Sequence, residues 1–230
     1  MEYKPWYPSD YTQALNNILT EDETTTLLNQ PGASPRFVYD PLVLPTVLKY
    51  FTDMPQTTPI ARNMTQATLF GYQLYHFSNP GMPVIAPSPD PQAAVEGLLV
   101  FGLNEQQRNA IYELEAGLMK LVSVQVDIQQ RVPGERQVCS VRAVEAGAFC
   151  WADEGGSLEG LVPIEGAAWS LDEFLVGSFY EHIARSQCKG MVGVEGVLPH
   201  RSSGKRRSRS YTGQIETLEC IEEDHGEWLL

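Results

Sequence analysis

The chain is poor in the residues that announce the commonest chemistries. It has four cysteines in 230 residues, Cys139, Cys150, Cys188 and Cys220, widely spaced and without a C-x-x-C pair. Such spacing offers no redox or zinc motif, and in a chain with no export signal it reads as reduced thiols. Histidine is as scarce: His76, His182, His200 and His225 show no metal-ligand spacing, and His76 and His182 read as ordinary, partly buried residues. No G-x-S-x-G occurs, so there is no sign of a nucleophile elbow. Gly204-Lys205 is followed by Arg206 rather than Ser or Thr, and Pro199 stands where a phosphate-binding loop needs its first glycine. No apolar run approaches the roughly 18–20 residues that span a bilayer. The N-terminus lacks a basic start followed by an apolar stretch, and its acidic residues speak against a transit peptide. The expectation is a cytoplasmic protein without membrane contact.

Cations are also few, 16 Lys and Arg against 29 Asp and Glu, for a formal charge of -13. A surface so acidic argues against nucleic-acid binding by the core. What is present is material for a core, with 43% hydrophobic and 10% aromatic residues. The length allows one generous domain, or one domain with tails.

Residues 1–35 read as an N-terminal extension, punctuated by Pro5, Pro8, Pro31 and Pro35. Short helices fit 10–20 and 22–29, with Ser9 or Thr20 as N-cap and Glu23 completing a capping box with Thr20. This segment is either a docking arm or a loosely packed leader. The core spans 36–185. A buried strand is predicted at Arg36–Tyr39, a helix opened by Pro45, and strands at Ala67–Phe77, Val84–Ile85, Ala94–Leu103, Met119–Ile128 and Ala146–Ala152. Gly97 and Gly102 suggest a bulge or a close backbone approach. Asn104 caps a helix running to about Ala116, stopped by Gly117. Leu171, Phe174, Leu175, Phe179 and Ile183 mark an amphipathic helix begun by Ser170. Short strands with single helices between them give an α+β fold with a curled or closed sheet. Residues 186–230 form a C-terminal tail expected to be largely flexible. Its basic run, from Arg201 through Lys205, Arg206 and Arg207 to Arg209, is interleaved with serines. That run reads either as a nuclear-import or polyanion contact switched by phosphorylation, or as a patch pairing with its acidic neighbourhood.

Two segments resemble the γ-glutamylcyclotransferase-like family, in its AIG2-like branch. FVYDPLVLPTVL, residues 37–48, is similar to the family's opening strand and loop, where Tyr-Gly-Thr/Ser-Leu runs into a Pro-x-Val-Leu helix start. IYELEAGLMKLVSVQV, residues 111–126, fits without gaps the family's Leu-Asp-x-Phe-Glu-Gly-x-x-Tyr-x-Arg-x-x-Val-x-Val. ATLFGYQLYHF, AVEGLLVFGL and AFCWADE with Trp169 and Phe174 match in order, so the resemblance covers about 36–183. It implies a small mixed β-barrel flanked by short helices. It also implies a small-molecule γ-glutamyl substrate, whose α-amine attacks the γ-carbonyl to give 5-oxoproline and release an amine or amino acid. That chemistry needs no metal and no cofactor. It does need a carboxylate base, a closed pocket, and donors for the α-carboxylate and oxyanion.

The resemblance assigns the base to Glu115, at the end of the 105–116 helix, and the acyl pocket to Tyr39, Asp40, Pro41 and Leu42. Glu113 falls on another helix face and is expected in solvent. The loop departs from the family pattern. Pro41 has no N–H to donate, and Asp40 puts negative charge where a substrate carboxylate would bind. Ala116, Met119 and Leu121 replace a Gly, a Tyr and an Arg. The resemblance therefore leaves two readings. One is a transferase acting on a cationic or less charged γ-glutamyl-like substrate. The other is a catalytically inactive member serving as a ligand-binding or protein-interaction module.

Overall fold

A computed structural model describes residues 3–77, 83–115, 119–132, 139–151, 161–164 and 171–189. Its centre is a closed five-stranded barrel built from β1 (Arg36–Val38), β2 (Met64–Phe70), β5 (Ala94–Val100), β6 (Met119–Arg131) and β7 (Cys139–Trp151). The strands follow one another around the wall in the order β1-β5-β2-β6-β7. Closure comes from a parallel pairing of β1 with β7, Arg36 opposite Gly147 and Phe37 opposite Ala148. The remaining barrel pairs are antiparallel, the longest being the β6–β7 hairpin, in register from Met119 opposite Trp151 to Arg131 opposite Cys139. A second sheet, ordered β4-β3-β8, holds β3 (Tyr72–Phe77) between β4 (Val84–Pro87) and β8 (Leu161–Pro163).

Strand alternation sorts the side chains into two cores. Phe37, Leu69, Val95, Leu99, Val126, Ile128, Val144 and Ala148 fill the barrel. Val38, Leu98, Val100 and Phe149 point outward into a second core. There they meet Tyr11 and Leu15 of α1 (Ser9–Leu15), Val47 and Leu48 of α3 (Pro45–Phe51), Ile111 and Leu114 of α4 (Glu105–Glu115), and Ile183 of α6 (Ser178–Lys189). Because β5 is covered on both faces, residues 97–100 are all buried.

Several elements differ from the sequence expectation. The run from Ala67 to Phe77, read as one strand, is two strands in different sheets. Gly71 divides them at φ 74°, with its N–H donating to the Ala93 carbonyl oxygen and its own carbonyl accepting from Ser88 N. The last core strand is not seven residues but thirteen, Cys139–Trp151. The single amphipathic helix predicted from Leu171 is broken at Gly177 into α5 (Leu171–Val176) and α6. Ser170 and Trp169 lie outside the described residues, as do Ala116, Gly117 and the tail from 190 onward.

The N-terminal segment is packed rather than loose. Tyr11, Ala14 and Leu15, at helical spacing, are all but fully buried. Thr24 of α2 (Glu21–Leu28) receives a hydrogen bond from Gln130 of β6 at 2.7 Å. The capping box at Thr20 and Glu23 is present as expected. Ser9 is the first helical residue of α1 rather than its cap.

Candidate functional site

Glu115 is the last residue of α4, and its position on that helix forces it inward. Ile111, Leu114 and Glu115 lie at i, i+3 and i+4, the spacing of a single helix face, and all three are buried. Tyr112 and Glu113, on the other faces, are exposed. Asn104 fixes where the helix starts: its side chain accepts from Gln107 N, and the Gln107 side chain accepts from Asn104 N, each at 2.9 Å. Glu115 is only 2% exposed. Among the described residues, no donor reaches either of its carboxylate oxygens.

The loop that follows β1 is built by its own side chain. Asp40 is the N-cap of a 3-10 turn over Pro41–Val43, and its Oδ1 accepts from Leu42 N at 2.9 Å. A capping carboxylate followed directly by proline is a regular way to start such a turn. Val43 N donates to the Asp40 carbonyl and Leu44 N to the Pro41 carbonyl, both at 3.0 Å. With proline at 41, the N–H groups of the turn from 41 to 44 are absent or already used. Tyr39, 6% exposed, donates its hydroxyl to the Phe149 carbonyl at 2.8 Å, with Met119 Sδ at 3.2 Å. The loop is seated by the close approach of β1 to β5, where a Cβ added at Gly97 would stand 2.4 Å from the Val38 carbonyl oxygen.

The two carboxyls interact directly. Burial pushes the Glu115 carboxyl well above the usual carboxylate range, and the Asp40 carboxyl beside it adds to the rise. Asp40 is also raised by burial, but the neighbouring Glu115 carboxyl and the hydrogen bond it accepts from Leu42 N oppose the rise. Burial therefore disfavours the charged form of both carboxyls, and they titrate as a pair. Burial, with the negative charge of both carboxyls, keeps the Tyr39 phenol neutral.

All the residues proposed from sequence, Glu115 and the Tyr39–Leu42 loop, thus lie in one buried neighbourhood. The sequence reading set Asp40 against a substrate carboxylate and missed that its carboxyl would face Glu115. An aspartate directly before proline signals the turn that it caps, but not that meeting. Met119, in the place of a tyrosine, touches the Tyr39 hydroxyl, whereas Leu121 lies on the outer wall, 38% exposed. Cys150 is unpaired and buried, its thiol pushed up to about 12 by burial, and His76 and His182 lie on β3 and α6. Among the described residues, no group of three or more His, Cys, Asp or Glu is placed to hold a metal ion, and no helix is long and apolar enough to cross a membrane.

A closed five-stranded barrel with helices on its outer wall is the architecture that the resemblance implied. Residues 36–171 match the model of the family described as gamma-glutamyl cyclotransferase, AIG2-like, and the chain belongs to that family. No curated protein matches the chain in sequence. Among solved structures it is similar to an Arabidopsis thaliana protein solved in solution, at 18% identity and a TM-score of 0.48, covering 77% of this chain and 98% of the other. It is also similar to a gamma-glutamyl cyclotransferase, at 13% identity and a TM-score of 0.36, covering 84% of this chain and 99% of the other. A third similar structure is a yeast gamma-glutamyl cyclotransferase specific to glutathione, at 14% identity and a TM-score of 0.36, covering 82% of this chain and 96% of the other.

Proposed function

We propose that the chain cyclises a γ-glutamyl-like group to a five-membered lactam, with Glu115 as the general base. The observation that carries this reading is a glutamate 2% exposed with no hydrogen-bond donor among the described residues, set against a second buried carboxyl. A structural carboxylate in the same place would be expected to have donors or a cation, since an unpaired buried charge is costly. A base waiting for a substrate ammonium has a reason to lack them.

In the proposed reaction the ionised Glu115 removes a proton from the substrate's α-ammonium. The freed amine nitrogen attacks the γ-carbonyl carbon, forming the ring C–N bond. The bond from that carbon to the leaving amine breaks, and Glu115 passes both the first proton and the ring nitrogen's surplus proton to the departing nitrogen, which leaves as an ammonium while the ring keeps a neutral lactam N–H. Tyr39, neutral and held by Phe149, forms a wall of the site rather than titrating in it.

The turn from 41 to 44 has no N–H left for a free α-carboxylate, and Asp40 would repel one. The substrate we infer is a γ-glutamyl amine or peptide whose α-carboxylate is neutralised, as in an α-carboxamide. Incubation with matched γ-glutamyl compounds bearing either a free α-carboxylate or an α-carboxamide, with 5-oxoproline or its amide detected by mass spectrometry, tests this directly. The carboxamide is expected to turn over faster, and Glu115→Gln is expected to lose about 100-fold or more. Turnover undiminished in Glu115→Gln removes the mechanism.

The same closed turn favours a second reading, an inactive member that binds a ligand or a protein. That reading predicts no turnover in the native chain and its appearance once Asp40→Gly and Pro41→Thr reopen the loop. The basic run 201–209 remains a proposal for polyanion or nuclear-import contact, to be judged by salt-sensitive binding lost on truncation of the tail.

A further inference from the structure

Tyr112 and Leu121 are large apolar side chains left in water, 51% and 38% exposed. Exposed apolar residues standing singly need no explanation. These two are joined. The Tyr112 ring lies 6.1 Å from the ring of Phe149 and is tilted at 54° to it, within the range of a favourable aromatic pair. Leu121 is directly opposite Phe149 in the β6–β7 hairpin, so the two side chains share its outer face. Phe149 itself is only 5% exposed and shares a core with Ile111 and Leu114 of α4.

The patch continues inward to the candidate site. Met119, two residues before Leu121 and so on the same face of β6, packs against the core that holds Phe149. Its Sδ is the atom 3.2 Å from the Tyr39 hydroxyl, and Tyr39 directly precedes Asp40. On α4, Tyr112 and Glu115 stand at i and i+3, neighbours along the helix surface, with Tyr112 on the water side and Glu115 on the buried side. An apolar surface thus runs from solvent at Tyr112 and Leu121, through Phe149 and Met119, to the wall formed by Tyr39.

The proposed reaction divides its substrate into two parts. The glutamyl part must be folded into a ring beside Glu115 and Asp40, where carboxyls suit an ammonium and give an apolar group no partner. The amine that departs must leave toward water, past the apolar surface between Tyr39 and solvent. We propose that Tyr112, Leu121 and Phe149 form the subsite for the departing amine, and that this amine carries an aromatic or branched aliphatic group. The inference rests on the cyclisation reading and adds the class of leaving group to it. Phe149 holds the Tyr112 ring in place, so a flat apolar group can lie against its exposed part without first ordering it.

The test compares γ-glutamyl-benzylamide with γ-glutamyl-methylamide, both as α-carboxamides, in the native, Tyr112→Ala, Leu121→Ser and Val141→Ser proteins. Turnover is read as the ratio of the two kcat/KM values, and binding to Glu115→Gln is read from the Tyr112 ring-proton resonances. The benzylamide should be preferred at least about tenfold in the native chain. Tyr112→Ala and Leu121→Ser should each cut that ratio by about threefold or more. Val141→Ser, whose side chain is 67% exposed near the other end of the same hairpin, should leave it unchanged. A flat ratio in a chain that turns over, or a preference surviving both site substitutions, overturns the subsite and leaves the cyclisation reading standing. No turnover, with the benzylamide still shifting the Tyr112 resonances saturably and binding more tightly than the methylamide, supports the apolar site and removes the cyclisation reading. Tyr112 resonances unmoved by either compound overturn the subsite whether or not turnover occurs. Self-association of the native chain that is lost in Tyr112→Ala would assign the patch to a second copy and overturn it as well.

Discussion

Glu23 and Glu115 are the same amino acid at opposite ends of two helices, and the molecule treats them in opposite ways. Glu23 stands in the first turn of α2, partly in water. It accepts from Thr20 N at 2.7 Å and from Thr20 Oγ1 at 2.9 Å. These bonds hold its carboxyl below the usual carboxylate range. Glu115 stands at the C-terminal end of α4, where the helix dipole offers a negative charge nothing. Among the described residues it has no donor, and its carboxyl is pushed up. The first arrangement stabilises a helix. The second withholds every interaction that would stabilise an anion, which is a cost unless something arrives to use it.

The contrast depends on the tight seat of the Asp40 loop, so the most disruptive way to break it is at Gly97. Gly97→Ala sets a methyl 2.4 Å from the Val38 carbonyl and against the Phe37 ring, forcing β1 away from β5. The expected cost is roughly 3 kcal/mol, read by denaturant unfolding. Water admitted beside Glu115 should also bring its carboxyl back toward the ordinary range, as followed by carbon-13 titration. A neutral stability change with an unmoved titration would separate the loop's seat from the behaviour of Glu115.

The two glutamates should also give opposite pH dependences. For Glu115 the folded pKa lies above the unfolded one, so between the two the folded state holds the extra proton. Its contribution is complete below about pH 4.5 and is lost as pH rises through the raised value, at a slope of at most about 1.4 kcal/mol per pH unit. For Glu23 the folded pKa lies below the unfolded one. Its contribution is present above about pH 4.5 and is lost as pH falls through the lowered value. Glu115→Gln should therefore flatten the decline of Tm toward alkaline pH, while Glu23→Gln leaves that limb alone. A decline of equal steepness in native and Glu115→Gln proteins would mean that Glu115 is already ionised in the fold.

The sequence made one member of this comparison legible and half-hid the other. Thr20 and Glu23 form a local pattern three residues apart, and local capping geometry needs no knowledge of the fold. The barrel strands were readable wherever apolar residues alternate, as at Val124, Val126 and Ile128. The extension of β7 back to Cys139 was missed because Val141, although in the strand, is 67% exposed. Gly71 hid a change of sheet inside an unbroken alternating run. Glu115 was singled out by the resemblance alone, and its burial follows from the helix face it shares with Ile111 and Leu114. The role of Asp40 depends on a meeting between a loop after β1 and the end of α4, residues 75 positions apart in the chain. Spacing within either segment cannot show that meeting. The packing of α1 was written in the spacing of Tyr11, Ala14 and Leu15, but the prolines around it suggested a leader.

The smallest predicted effect sharpens the comparison most cleanly, because it isolates what donors are worth to a helix-end carboxylate. Thr20→Ala removes the hydroxyl that caps Glu23 N at 3.2 Å and bonds the Glu23 carboxylate, but leaves the Thr20 backbone N–H in place. The helix should lose about 1 kcal/mol, the usual value of such a cap. The Glu23 carboxyl should rise toward the ordinary range without reaching it, since the backbone bond, its largest single influence, remains. No comparable change should appear at Glu115, because Gln130 and Thr24 hold α2 against β6 by a separate bond. A titration in which Glu115 also moves would instead mean that α2 and the candidate site share one cooperative unit, and that the N-terminal segment belongs to the machinery of the barrel.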